Sequence, residues 1–123
     1  MLVDKLYTIK DLHTPENNTI LATILINKEH EVFLGHFPGR PIMPGVCLTN
    51  MITDVISLSK HHQYFLKSAN FIKFLTIVQP ETTPIVSIKI SISEEVESSL
   101  KADALVFSEN TTFLKFQGYF NLM

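Results

Sequence analysis

The chain has 123 residues, the usual length of one domain, and 46% of them are apolar, which suffices for one hydrophobic core. Ten basic and twelve acidic residues are spread along the chain and give a net charge of −2, without the lysine and arginine clusters that bind nucleic acid. No apolar run reaches the roughly 18–20 residues that span a bilayer, and the first residues lack the features of a secretory signal. We therefore expect a single cytoplasmic domain over residues 1–123, with neither nucleic acid nor a membrane as partner.

In chain order, strand patterns come first and dominate the second half. Thr19–Ile26 is rich in β-branched residues and predicts a strand, and residues 30–33 are a candidate to pair with it. After the middle of the chain, apolar and polar residues alternate most clearly over 84–94, where every second residue from Val86 to Ile92 is apolar. Three further strands are predicted at 64–75, 100–107 and 113–122, with a hairpin turn at 108–111 between the last two.

One long helix is predicted over Gly45–Lys60. Its apolar residues fall at spacings of three and four and form one stripe, comprising Leu48, Met51, Ile52, Val55 and Leu58. A polar stripe on another face comprises Asn50, Thr53, Asp54 and Ser57. Pro44 fits directly before the first turn, where its missing N–H costs nothing. Runs of strands with one segregated helix predict an α+β fold in which an antiparallel sheet packs on the helix.

The segment between the first strands and the helix is the one that indicates chemistry. Residues 35–46 read GHFPGRPIMPGV, with three prolines and three glycines that fix an unusual backbone path. His36 therefore lies near a helix N-terminus, whose unbonded amides and dipole can polarise a carbonyl oxygen. The alternative is a structural loop whose histidine only bonds a neighbouring carbonyl.

The motif HFPGRPIMPGV resembles the signature of bacterial 3-hydroxyacyl-[acyl-carrier-protein] dehydratases of the FabZ and FabA types, and NFIKFLTIVQP at residues 70–80 is similar to the strand after their helix. The resemblance implies a hotdog fold, a curled antiparallel sheet wrapped around one long central helix. It also implies a homodimer or higher homo-oligomer, a thioester of acyl-carrier protein or coenzyme A as substrate, and no cofactor or metal. His36 matches the family's base, and Gly45 matches the glycine whose N–H holds the thioester carbonyl. Phe37, Pro44 and Val46 are then expected to flank the substrate.

The departure from this family lies at Asn50. The dehydratases carry a Glu or Asp fourteen residues after the histidine, contributed by the other subunit, which protonates the departing β-hydroxyl. An asparagine amide holds a hydroxyl or a water but gives up no proton near neutral pH. Asp54, one turn further along the helix, is a candidate replacement acid, and a solvated or interface carboxylate is its alternative.

Three functions stay open at this point. The leading one is dehydration of a 3-hydroxyacyl thioester, with Asn50 positioning the hydroxyl or a water. The second is thioester hydrolysis by a water held at Asn50 or Asp54. The third is a non-catalytic partner that binds acyl-carrier protein or completes a heterodimer.

The candidates for contact with an acidic carrier protein are Arg40, Lys67 and Lys73. Cys47, the only cysteine, is more simply a small buried side chain than a nucleophile.

Overall fold

The structure is a computed structural model and describes residues 5–123. It contains six strands and two helices. These are β1 (Tyr7–Glu16), β2 (Thr19–Ile26), α1 (Val32–Gly35), α2 (Gly45–Lys60), β3 (Tyr64–Phe74), β4 (Ile85–Val96), β5 (Ser99–Ser108) and β6 (Thr111–Leu122). The predicted α+β arrangement, with one long helix against an antiparallel sheet, is confirmed. Neither helix of the described residues is long and apolar enough to cross a membrane.

All six strands join in one antiparallel sheet of order β1-β2-β4-β5-β6-β3. Two-residue turns connect β4 to β5 and β5 to β6, and Glu97 and Glu109 in these turns have φ values of 50° and 51°. Positive φ at such a turn matches the twist of the two strands that it joins. Along the chain, α1 and α2 come between β2 and β3. In the sheet, β3 lies at the far edge from β1, beside β6.

The core lies between α2 and the inner face of the sheet. Along β4 the inward residues, Val86, Ile88, Ile90 and Ile92, are buried and alternate with less buried ones, as the sequence pattern predicts. The predicted apolar stripe of α2 packs against this face, and Leu48, Met51, Ile52 and Val55 are all buried. Leu58 is the exception, since it is 36% exposed near the end of the helix.

The prediction of a strand at residues 30–33 is wrong. A turn at this position leads into α1, and the His30 Nδ1 atom accepts a hydrogen bond from the Val32 N–H at 3.0 Å. This local bond holds the chain in a helical turn instead of an extended strand. The partner of β2 on that side is β1, which runs antiparallel to it from Tyr7 opposite Ile26.

The predicted polar stripe of α2 divides into two kinds of environment. Asn50 is exposed and Thr53 is half-buried, but Asp54 and Ser57 are buried. The Ser57 Oγ atom accepts a hydrogen bond from the Tyr64 N–H at 3.0 Å, which joins the end of the helix to the start of β3. Burial of these two polar side chains is tolerated because each has a hydrogen-bond partner.

Candidate active site

The loop at residues 36–42 closes on itself through hydrogen bonds. Phe37 and Arg40 exchange backbone bonds of 3.1 and 2.9 Å, and the Ile42 N–H donates to the His36 carbonyl at 2.9 Å. A fourth bond joins the His36 Nδ1 atom to the Ile42 carbonyl oxygen at 2.9 Å. The imidazole also stacks on the Phe37 ring, with 4.2 Å between the ring centroids. These contacts hold the ring in one orientation.

The bond to Ile42 determines which nitrogen of His36 can act as a base. A carbonyl oxygen only accepts hydrogen bonds, so Nδ1 must carry the proton. In the neutral ring Nε2 then keeps its lone pair, and within residues 5–123 no hydrogen bond occupies it. The predicted alternative, a histidine that bonds a neighbouring carbonyl, thus describes a contact that the structure contains, and this contact does not involve Nε2.

The start of α2 supplies hydrogen-bond donors beside this histidine. Pro44 caps the helix with extended backbone angles (φ −61°, ψ 140°), and its carbonyl accepts from the amides of Cys47 and Leu48. The amides of Gly45 and Val46 precede these and have no acceptor within the helix. A Cβ atom on Gly45 would lie 2.7 Å from Phe74 Cε1, so only glycine lets this ring approach the helix start so closely.

His36 and Gly45 line the same cavity, whose volume is about 390 Å³. The other lining residues are Ile42, Met43, Leu48 and Phe74, together with the 75–78 segment that follows β3. Most of these side chains are apolar, and none of the lining residues carries a carboxyl group. The cavity therefore combines one candidate base and one helix-start amide in apolar surroundings, which suits a thioester carbonyl with an acyl chain.

Asn50, at the position of the family's acid, and Asp54, the candidate replacement acid, lie outside this cavity within the single chain. Asn50 is exposed on α2. Asp54 is only 7% exposed, and its Oδ2 atom accepts a hydrogen bond of 2.5 Å from the Tyr7 hydroxyl. Tyr7 belongs to β1 and is fully buried, so this bond ties the first strand to the middle of the helix.

The remaining predicted residues surround the helix start. Phe37 and Val46 are 48% and 66% exposed, and Pro44 is half-buried between the lining residues Met43 and Gly45. Cys47 is buried, and this burial raises the pKa of its thiol, opposite to the lowering expected of a nucleophile at a helix start.

Sequence reasoning missed the wall formed by Phe74 and the 75–78 segment. The signal in the sequence was that β3 has large apolar residues on both faces, where a strand usually has one polar face. These apolar residues continue to Ile77, beyond the end of β3.

A curled six-stranded antiparallel sheet around one long helix, with a histidine loop opening on the helix start, defines a hotdog-fold protein. Residues 12–117 match the family model of the ApeI-like group, described as ApeI dehydratase. The chain therefore belongs to the ApeI-like dehydratase family.

Relatives in sequence agree with this assignment, and a solved structure has the same fold. The 3-hydroxyacyl-[acyl-carrier-protein] dehydratase FabZ of Rickettsia bellii (strain OSU 85-389) is 30% identical over 91 residues, which cover 68% of this chain and 59% of that protein. The FabZ of Rickettsia canadensis (strain McKiel) is 33% identical and is covered to 60%. The chain thus spans about three fifths of the length of the curated relatives that it matches. The dehydratase heterocomplex ApeI:P from Xenorhabdus doucetiae has the same fold, with a TM-score of 0.67, 20% identity and coverage of 93% of this chain and 95% of that one.

Proposed function

We propose that the chain binds a 3-hydroxyacyl thioester and removes water from it reversibly, forming the 2-enoyl thioester. The observation that carries the proposal is the His36 ring, whose Nδ1 atom bonds the Ile42 carbonyl and whose Nε2 atom has no hydrogen bond within residues 5–123, in one apolar cavity with Gly45 at the helix start. Membership in a dehydratase family supports the same reaction.

The reaction assigns a role to each of these two groups. The Nε2 atom of His36 takes the proton from the carbon next to the thioester carbonyl, and the electron pair of that C–H bond forms the new carbon–carbon double bond. The C–O bond at the β-carbon breaks, and the hydroxyl leaves as water once it has gained a proton. The Gly45 N–H donates a hydrogen bond to the carbonyl oxygen, where negative charge develops. Donors of this kind typically contribute about 10²–10³-fold in rate.

The proton for the departing hydroxyl has no carboxyl source in this chain's own cavity. Asn50 cannot donate a proton, and the Asp54 carboxylate is buried against the Tyr7 hydroxyl. In our proposal the exposed Asn50 of a partner copy holds the hydroxyl by hydrogen bonds, and the imidazolium of His36 returns the proton. A missing carboxyl acid costs roughly 10²–10⁴-fold in rate, so a complex of identical chains works slowly.

The missing carboxyl group favours a second candidate function, that of one subunit in a dehydratase heterocomplex. The relative from Xenorhabdus doucetiae is described as a heterocomplex, and a different partner chain could carry the acid that this chain lacks. In this case the present chain contributes His36 and Gly45 and the partner contributes the proton donor.

The edge strand β3 is the surface that suits such a partner. It is bonded to β6 on one side only, and several of its large apolar side chains are exposed. Those at least 36% exposed, on β3 and directly after it, are Phe65, Phe71, Ile72, Phe74, Leu75 and Ile77. An open strand edge with exposed apolar residues favours association with another chain, so we propose that this edge pairs with a second subunit.

The first experiment measures hydration of a 2-enoyl thioester by the loss of its conjugated absorbance, with release of free thiol followed in parallel. We expect slow hydration that His36→Ala abolishes. The matched control is His13→Ala, since His13 is exposed on β1 and pairs with Asp11. Thiol release that depends on His36, without hydration, would contradict the dehydratase proposal and indicate a thioesterase.

The second experiment restores the acid. Asn50→Glu is expected to raise the hydration rate by about 10²-fold or more, because a carboxyl group then stands where the family has one. Asn50→Gln is the matched control, since it has the same length without an acid, and it should give no gain. If Asn50→Glu folds and binds the thioester but gains nothing, the missing-acid argument is wrong. A wild-type chain that is silent while Asn50→Glu is active supports the heterocomplex candidate.

A further inference from the structure

The two edge strands of the sheet differ in charge. β1 carries one lysine and two carboxylates, and Pro15 lies near its end. Charges and a proline are features of edges that resist pairing with another chain. β3, at the opposite edge, has Lys67 and Lys73 as its charged residues and no carboxylate. The edge that is open to pairing is therefore uniformly basic.

The excess of positive charge extends beyond β3. No Asp or Glu occurs between Asp54 and Glu81, a stretch that contains the whole strand. The neighbouring strand β6 has Lys115 and likewise no carboxylate. The first carboxylate counted from this edge of the sheet is Asp103 on β5, whose Oδ1 atom accepts a hydrogen bond of 2.8 Å from Gln117 Nε2. Three lysines thus lie on the last two strands of a chain whose net charge is −2.

The lysines of β3 are free to meet a partner. Both are exposed, and neither forms an ion pair with any residue that the structure describes. Lys67 lies in a register shift of the pairing with β6. The Lys73 ammonium lies 4.9 Å from the centroid of the Phe71 ring, and Lys73 is paired with Lys115. Like charges directly opposite each other are destabilising, so a carboxylate on the next strand would relieve this edge.

Pairing with a second copy of the chain would repeat the same charges. A two-fold symmetric dimer brings the same patch of both copies to the interface. In an antiparallel pair of β3 strands, Lys67 of one copy lies toward Lys73 of the other, because the two lysines flank the middle residue, Ala69. Two register shifts also interrupt the regular ladder of β3, so side chains carry more of the choice of partner.

A different subunit with acidic residues removes this conflict. Opposite charges across an interface favour one partner, and like charges suppress another. We infer that β3 pairs with a different subunit whose edge strand carries Asp or Glu among apolar residues, in preference to a second copy of this chain. The inference rests on the pairing of β3 proposed above, which it deepens by naming the chemistry of the partner strand.

The test uses a charge-reversed copy of the chain as the acidic partner. Lys67→Glu/Lys73→Glu gives β3 two carboxylates among the same apolar residues, and a tag gives this copy a different mass. Lys10→Glu/Lys28→Glu, with the same tag, is the control, since these lysines are also exposed and lie on β1 and after β2. Sedimentation velocity measures the association of each chain alone, and native mass spectrometry counts self-pairs and mixed pairs in equimolar mixtures.

We expect the mixed pair to be about tenfold tighter than the self-pair of either chain, because opposite charges then replace like charges at the edge. Random pairing would make mixed pairs as abundant as both self-pairs together, so an excess of mixed pairs is the expected result. Salt at about 1 M, where the Debye length is roughly 3 Å, should reduce this excess. If the reversed chain does not fold, Lys67→Gln/Lys73→Gln removes the repulsion and should self-associate more tightly than the unaltered chain.

A self-pair of the unaltered chain as tight as the mixed pair would overturn the inference. So would an equal excess of mixed pairs with the control variant, or no mixed pair at any concentration. Association is measured without substrate, so this inference and the proposed reaction fail separately. Mixed pairs without hydration of the 2-enoyl thioester contradict the proposed reaction alone, and hydration by self-pairs that are indifferent to charge contradicts the choice of partner alone.

Discussion

Replacing Gly45 by alanine separates the stability of the fold from the shape of the site. The added Cβ would lie 2.7 Å from Cε1 and 2.8 Å from Cζ of the Phe74 ring, closer than van der Waals contact allows. Phe74 is 57% exposed, so the ring has room to move away from the helix. Holding the ring off its preferred rotamer costs about 0.5–1.5 kcal/mol. Alanine in place of glycine returns up to about 1 kcal/mol of helix propensity.

These opposing terms predict a free energy of unfolding within about 1 kcal/mol of the original value. The site should suffer more, since Phe74 and Gly45 both line the His36 cavity. A displacement of about 1 Å near reacting groups can lower a rate by 10²-fold. We therefore expect Gly45→Ala to lower kcat/KM for a 2-enoyl thioester by about 10–100-fold. Affinity for a saturated acyl thioester, measured by titration, should fall in the same direction and needs no turnover.

The assay pairs thermal unfolding with these two measurements, and a double variant identifies the cause. In a Phe74→Leu background the atoms that clash with the new Cβ are absent, so adding Gly45→Ala should do much less harm to binding. A loss of several kcal/mol in stability would refute the reasoning, because the ring would then be unable to yield. Unchanged binding in Gly45→Ala would refute it equally, because the helix start would then not be part of the site.

Two further predictions concern other parts of the molecule. Gly118→Ala should lower the free energy of unfolding by about 1–3 kcal/mol, because the new Cβ would lie 2.7 Å from the Ser68 carbonyl oxygen, a backbone atom of the paired strand β3. Gly35→Ala is the control, since nothing lies within 4 Å of its new Cβ, and equal thermal midpoints for the two variants would contradict the prediction. Iodoacetamide at mildly alkaline pH should alkylate Cys47 slowly in the folded protein and quickly in denaturant. The reason is that burial raises the pKa of the thiol and so lowers the fraction present as thiolate. Equal alkylation rates in the two states would contradict this, because the thiol would then be accessible in the folded protein.

The strands that the sequence predicts well are those with one buried face. Apolar and polar residues alternate from Val86 to Ile92 because every second residue of β4 faces the helix, and these apolar residues are the buried ones. Strand β1 has no such pattern, because most of its residues after Tyr7 are exposed on both faces of an edge strand. Beyond Tyr7, its place depends mainly on backbone bonds to β2, which leave no mark on the choice of side chains. The strand predicted at residues 30–33 was wrong because Val32 and Phe33 suit a strand in sequence, but a local hydrogen bond from the Val32 N–H to His30 forms a turn instead.

The site was predictable where it is local in sequence and unpredictable where it is not. The loop composition and the spacing to the helix indicated His36 and Gly45, and the structure places both on one cavity. The environment of Asp54 depends on Tyr7, which lies 47 residues away, so no periodicity in the helix could reveal that its carboxylate is buried. The wall formed by Phe74 likewise requires the path of β3 back across the helix start.

The self-bonded loop at residues 36–42 has a consequence for how this protein could be altered. Its hydrogen bonds join Phe37 to Arg40 and His36 to Ile42, and Pro38 and Gly39 form the turn between them, in which Gly39 has a φ of 75°. The tip could therefore be exchanged for another turn that accepts a positive φ at the second position, while the ring keeps its bond to Ile42. Transplanted as a unit onto another helix start, the same segment would bring its own alignment with it.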